Sequence, residues 1–355
     1  MTDVALEQCT ALLGALLRAL ETLEHCARHV RPDGLEHLAP LVVEAEQGLR
    51  AAIEDLSPWP EPYAGLRGAL DASAEPALRA LGEFRVATSE TGDLGDVYRA
   101  LRLLPRAQEA LYELSRLPPV SLYFLDADMA GRKAQLADAP RSDRTGPLHI
   151  GNAPKQRGGF SLYVPEDYDA DRAYPLAMAL HGGAGHGRRF LWTWLRTARS
   201  RELILVAPTA VGGTWALTGP DPDTPNLLRI LEAVSAEWNV DRSKLLLTGM
   251  SDGGTFIYTS GLDEASPFTH LAPVAAAFHP MLADMASPAR LRGLPLRITH
   301  GALDWMFPVA MAREAERVLS RLGADVALRE ITDLSHCYPA EINPDLADWL
   351  AAVDG

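Results

Sequence analysis

The stretch that most limits what this chain can become is Leu245-Leu246-Leu247-Thr248-Gly249-Met250-Ser251-Asp252-Gly253-Gly254. Its apolar start suits a short buried strand, and helix-compatible residues follow its end. Between the two lies Gly-x-Ser-x-Gly. Glycines two places either side of Ser251 let backbone segments cross where a Cβ would clash. The turn is therefore sharp, lifts the Ser251 hydroxyl beyond the end of the sheet and leaves the Asp252 amide facing an oxyanion. Such a turn requires a buried strand leading directly into a helix, and it points to a serine nucleophile acting through an acyl-enzyme. Alone, the pattern also fits a glycine-rich turn after a buried strand, so its surroundings must decide.

Those surroundings divide near Pro118-Pro119. Before that point the pattern is helical: Leu12, Leu13, Leu16, Leu20 and Leu23 recur at one-face spacing. Pro32-Asp33-Gly34 breaks the first helix, with Asp33 expected to cap a second running toward Leu56. Residues 57–62, rich in proline, make another break, and two or three more helices are expected over 63–117. The expected organisation is an N-terminal helical domain over 1–118, a linker over 119–144 and a catalytic domain over 145–355. The first 118 residues carry no catalytic constellation. They suit a packing module or a homo-oligomer contact, with a substrate-selecting cap as the alternative.

After the boundary, strands and helices alternate. Strands are expected at 160–164, 176–180, 203–206, 244–248, 271–277, 296–299 and 326–331, with a helix over 226–238. The fold class is thus α/β, a mostly parallel sheet covered by helices on both faces and preceded by an all-α domain. Sites in such sheets gather at the carboxyl ends of the strands.

Three further motifs fall at those ends. His181-Gly182-Gly183 closes an early strand, and there the amide of Gly183, with Gly182 as a second choice, is suited to share an oxyanion with Asp252. His181 itself is expected to be structural. Asp304 stands just past the strand ending at His300-Gly301, where a carboxylate can orient an imidazole. His336 follows the last strand, on a loop that can reach Ser251 with one nitrogen and Asp304 with the other. Asp333 is the fallback acid, and Cys337 is expected to be a packing thiol. Trp215, Met250, Trp305 and His279 are pocket candidates, although such residues are core as often as lining. His186, Arg188 and Arg189 better suit a solvated helix start, with contact to a substrate carboxylate as the alternative.

Charge and cysteines narrow the setting. The 355 residues carry a net charge of −14, which disfavours nucleic acid and favours a neutral or cationic partner. The three cysteines, Cys9, Cys26 and Cys337, are too few and too odd for a disulfide framework. No Cys/His pair has zinc spacing, so no metal is expected. The apolar run 11–20 lacks a basic lead-in and is interrupted at Arg18 and Glu21, unlike an export signal. No run is long enough for a membrane span, and the expected location is cytoplasmic.

The ordered set His181-Gly182-Gly183, Asp241-Arg242-Ser243-Lys244, Gly249-Met250-Ser251-Asp252-Gly253-Gly254, His300-Gly301-x-x-Asp304 and Ser335-His336 resembles the α/β-hydrolase superfamily from about residue 145 onward. It most resembles bacterial esterases of the polyhydroxybutyrate depolymerase-like, feruloyl esterase-like and phospholipase/carboxylesterase-like kinds. The resemblance implies a Ser/His/Asp triad, no cofactor and hydrolysis of a small carboxylic ester, neutral or aromatic. A serine peptidase or amidase on the same fold, and a non-catalytic binding protein, are the alternatives. Secreted polymer-degrading members usually carry an export signal and disulfides, in contrast to this sequence, and residues 1–118 lie outside the resemblance.

Overall fold

A computed structural model describes residues 3–140, 142–284 and 286–352. The outermost ends of the two expected domains, 1–2 and 353–355, lie outside the described residues. The chain forms two compact units, 1–124 and 125–355.

The first unit is helical throughout. Its long helices are Asp3–His29, Leu35–Glu54 and Ala64–Val86, followed by the shorter Leu94–Leu101, Leu104–Tyr112 and Pro118–Tyr123. Leu12, Leu16, Leu20 and Leu23 are fully buried, as their spacing requires. Asp33 does not cap the second helix. Gly34 holds that position without a side-chain cap bond, and Asp33 pairs with Arg31 at 3.1 Å instead. Between helices, Gln8 takes hydrogen bonds from the Ser57 hydroxyl (3.0 Å) and the Trp59 indole (3.1 Å) and donates to the Asp55 carbonyl (2.6 Å). Half-buried Glu24 joins buried Gln108 and Tyr123 in a second knot. The stretch read as a linker holds the helices Pro118–Tyr123 and Lys133–Asp138, with a 3₁₀ turn between them.

The second unit is built on an eight-stranded sheet. Its strands are β1 (Gly146–Ile150), β2 (Phe160–Val164), β3 (Tyr174–Leu180), β4 (Ile204–Pro208), β5 (Val240–Met250), β6 (His270–Val274), β7 (Pro295–Gly301) and β8 (Asp325–Ile331). Their spatial order is β1-β2-β4-β3-β5-β6-β7-β8. β1 and β2 pair antiparallel, as do β2 and β4, and every other pairing is parallel. Successive residues Leu245, Leu246 and Leu247 are all buried, so both faces of the sheet are covered and side chains on each side lose water. Helix Gly187–Ser200 packs on β2, β3 and β4, and Ala310–Arg321 packs on β7 and β8.

Every strand expected from the sequence is present, β2 with the expected bounds and the others with shifted ends. β6 stops at Val274 instead of reaching Ala277 because Ala275 turns to φ 46°, outside extended backbone. β1 escaped the sequence reading: Pro147 and His149 interrupt its apolar alternation, and three of its residues are half-buried.

Because Leu247 is fully buried in a central strand, Leu247→Ala should cost about 2–5 kcal/mol. Half-buried Val326 lies on the edge strand β8, and Val326→Ala should cost about 1 kcal/mol or less. Urea unfolding followed by tryptophan fluorescence measures both.

Candidate active site

β5 runs straight into the turn at Ser251, and the short helix Asp252–Phe256 leaves it. Ser251 sits at φ 56°, ψ −120°, a conformation that ordinary residues avoid. Two backbone bonds hold it there: its amide donates to the Val274 carbonyl of β6 (3.0 Å), and its own carbonyl accepts from Thr255 (2.8 Å). Glycine is obligatory at 253, where a Cβ would fall 2.5 Å from the His181 carbonyl and 2.6 Å from that of Leu180. The elbow is therefore pressed against the end of β3.

Around this turn the sheet gathers the other motifs. His336 Nε2 lies 3.0 Å from Ser251 Oγ, and His336 Nδ1 lies 2.9 Å from Asp304 Oδ2. All three residues are buried or nearly so at their side chains. Asp304, and not Asp333, faces the imidazole. Burial opposes charge on Asp304, but hydrogen bonds from His336 and from the amides of Phe307 and Met306 outweigh it and hold the carboxyl below its ordinary value.

The loop carrying His336 is tied down by groups with no motif to announce them. Tyr338 is buried, with its hydroxyl accepting from the Trp194 indole (2.8 Å) and donating to Asn343 Oδ1 (2.9 Å). Asn343 in turn donates to the Thr193 carbonyl (2.9 Å). Gly301 permits the loop's close passage, since a Cβ there would stand 2.3 Å from the Leu334 carbonyl.

Gly182 and Gly183 adjoin the elbow. A methyl on Gly182 would stand 3.4 Å from Ser251 Cβ, and one on Gly183 would stand 2.9 Å from Asp252 Oδ2. The Thr214 hydroxyl donates to that same carboxylate oxygen at 2.6 Å. Behind this loop, Arg157 donates to the carbonyls of Gly185 (2.7 Å), Gly212 (2.7 Å) and Gly213 (3.3 Å). A buried chain also braces it: Asn152 donates to Ser161, Thr209 donates to Asn152, and the Gly187 amide donates to Thr209. None of Arg157, Asn152, Thr209, Thr214 or Tyr338 was singled out from sequence. Only Arg157 had a signal, an arginine beside a double glycine.

His181 spends both ring nitrogens on backbone, one in its own turn and one after β4. Nδ1 donates to the Gly182 carbonyl (2.7 Å), and Nε2 accepts from the Ala210 amide (3.1 Å). Burial drives its pKa down to about 3.

The pocket candidates part company. Trp215 is 2% exposed, stacked on Phe256, with its indole donating to the His181 carbonyl at 2.7 Å. It belongs to the core because its one polar atom has a buried partner there. Met250 is half-buried beside Ser251. Trp305 is 38% exposed with its ring 6.3 Å from that of His336, so it stands open to solvent next to the imidazole. His279 is exposed and accepts the Met281 amide at 3.3 Å. His186 caps helix Gly187–Ser200, accepting from the Arg188 amide and donating to the Gln156 carbonyl, and Arg189 leans on the Ala184 carbonyl. Cys337 is half-buried.

The residues thus occur in the chain order Ser251, Asp304, His336, after β5, β7 and β8 respectively. That order is the one found on α/β-hydrolases. No protein-family model matches the chain. Sequence comparison aligns it with a probable feruloyl esterase C of Aspergillus terreus, 32% identical over 116 residues, which are 31% of this chain and 43% of that protein. A probable feruloyl esterase C of Aspergillus clavatus is 27% identical over 166 residues, 45% of this chain and 56% of that one. Over these parts of its sequence the chain is similar to feruloyl esterases. The chain spans about half the length of the curated relatives it matches. Among solved structures, a fluorophosphonate-binding serine hydrolase of Staphylococcus aureus aligns at 15% identity and a TM-score of 0.49, covering 58% of this chain and 98% of that one. Among the described residues of the chain, no helix is long and apolar enough to cross a membrane.

His181 has a consequence for stability. Its folded pKa lies below its unfolded value near 6.5, so the unfolded chain takes up a proton first as pH falls. Its contribution is present above about pH 6.5 and is lost on acidification toward pH 3, at about 1.4 kcal/mol per unit. Unfolding free energies from urea titrations between about pH 6.5 and 4.5 should show this slope, and His181→Gln should flatten it.

Proposed function

We propose that this protein is a serine carboxylic ester hydrolase with Ser251 as nucleophile, His336 as general base and acid, and Asp304 as the carboxylate that orients His336. The observation carrying this reading is the continuous hydrogen-bonded line from Ser251 Oγ through both nitrogens of His336 to a buried Asp304. His336 takes the Ser251 proton as Oγ attacks the ester carbonyl carbon. The resulting oxyanion is held by the amides of Asp252 and Gly183, with Gly182 next in line. Protonation of the alkoxide by His336 releases the alcohol and leaves an acyl-serine. Water, deprotonated by His336, then attacks that ester and frees the acid. Asp304 stays ionised throughout, because its hydrogen bonds favour the carboxylate, and so it stabilises the imidazolium each time that forms.

Small neutral or aromatic esters are the substrate class we favour. Feruloyl is an aromatic acyl group, and the named relatives are feruloyl esterases. Trp305, exposed beside His336, offers a ring on which an aromatic substrate group can stack.

Ser251→Ala and His336→Ala should each lower kcat for p-nitrophenyl butyrate by roughly a thousandfold or more. Ser251→Ala should also abolish labelling by a fluorophosphonate probe. An active, labelled Ser251→Ala variant would overturn the assignment. Greater activity on aminoacyl anilides than on p-nitrophenyl esters would replace esterase with amidase.

A further inference from the structure

One buried side chain beside this site has no part in the mechanism. His300, near the end of β7, is fully buried. Its Nε2 lies 2.9 Å from the Phe307 carbonyl oxygen, so that nitrogen carries the proton and donates it there. The same nitrogen is 3.4 Å from Asp304 Oδ2, farther than His336 Nδ1 at 2.9 Å. Its Nδ1 is buried with no hydrogen-bond partner among the described residues. The short hydrogen bond of this imidazole is therefore one N–H on the Phe307 peptide, with Asp304 Oδ2 as the more distant second contact of the same nitrogen.

That peptide closes a tight turn. Asp304 Oδ1 accepts the amides of Met306 (2.9 Å) and Phe307 (2.8 Å), which leaves Oδ2 for His336. The ring of Phe307 meets the ring of His336 edge to face, with centroids 5.3 Å apart and planes at 87°. Phe307 thus does three things at once: its amide orients the acid, its ring bounds the base, and its carbonyl is held from β7. A loop turn with only its own internal bonds could rock about the strand end, whereas a bond to a fully buried strand residue removes that freedom.

We propose that His300 is a positioning residue for the reaction, pinning the 304–307 turn so that Asp304 and the Phe307 ring hold His336 at its working angle. The proposal rests on the reading of Ser251, His336 and Asp304 as the catalytic set. A histidine that merely fills core volume would matter through its bulk, and a positioning histidine matters through its N–H.

The test compares His300→Leu, which keeps volume and removes the donor, with His300→Gln, whose amide nitrogen falls near the place of Nε2. Steady-state kinetics on p-nitrophenyl butyrate should show kcat lowered about tenfold to a hundredfold in His300→Leu, with KM changed by about twofold or less. His300→Gln should recover to within about threefold of the original kcat. The downfield NMR signal of the His336–Asp304 proton should shift or broaden in the Leu variant and return in the Gln variant. If His300→Leu fails to fold, His300→Asn replaces it, since its shorter amide stops short of Phe307. Equal losses in the donor-free and Gln variants, or no loss in either, would overturn the proposal. Activity surviving in Ser251→Ala would instead overturn the catalytic reading, so the two failures are distinguishable.

Discussion

A serine held at φ 56° is strained by about 1–3 kcal/mol, and it stays there only because its neighbours leave no alternative. The amide of Ser251 is bonded to β6, and Gly253 is wedged against the carbonyls of Leu180, the last residue of β3, and of His181 just after it. The elbow therefore exists only while β3 and β6 flank β5 in parallel on its two sides. Sheet order and the geometry at Ser251 are one constraint seen at two scales. The same flanking brings the glycines after β3 up to Ser251 and Asp252, which is why the glycine-rich loop and the elbow occur together.

The two arms of the site are fixed by different means. The glycine-rich loop, too short of side chains to hold itself, is held from behind by Arg157, which ties its Gly185 carbonyl to those of Gly212 and Gly213 after β4, and by the buried chain of Asn152, Ser161, Thr209 and Gly187. Buried polar groups of this kind are costly unless paired, and once paired they permit few arrangements. The His336 arm is anchored two residues later by Tyr338, whose hydroxyl sits between Trp194 and Asn343. Both anchors lie outside the line from Ser251 to Asp304, so each can be tight without competing for the groups proposed to react.

Local sequence carried the fold a long way. Strand cores such as 160–164 and 326–331 announced themselves by β-branched and apolar runs between breakers. Ser251, Asp304 and His336 could be named because each chemistry-bearing residue type followed a strand end in a recognisable order. What stayed hidden depended on contacts far apart in the chain. Tyr338 meets Trp194 across 144 positions, and Thr214 meets Asp252 across 38. β1 was lost because its residues pair at an edge and need no clean alternation. Trp215 looked like a pocket residue in sequence, since nothing local disclosed that its indole would find the His181 carbonyl.

Asp304 brings these threads together. Its side chain is fully buried, and a buried carboxylate is tolerated only when hydrogen bonds replace the water it has lost. One oxygen takes two backbone amides from its own turn, and the other takes His336. Backbone amides are fixed donors, so they hold the carboxylate's orientation whatever the imidazole does. His336 supplies the only one of these bonds that runs to a group proposed to gain and lose a proton. The charge can then strengthen its hold on His336 as that ring becomes positive, without the turn having to move. A carboxylate on a flexible, hydrated loop would have to reorganise with every proton transfer, and Asp304 has been placed where it need not.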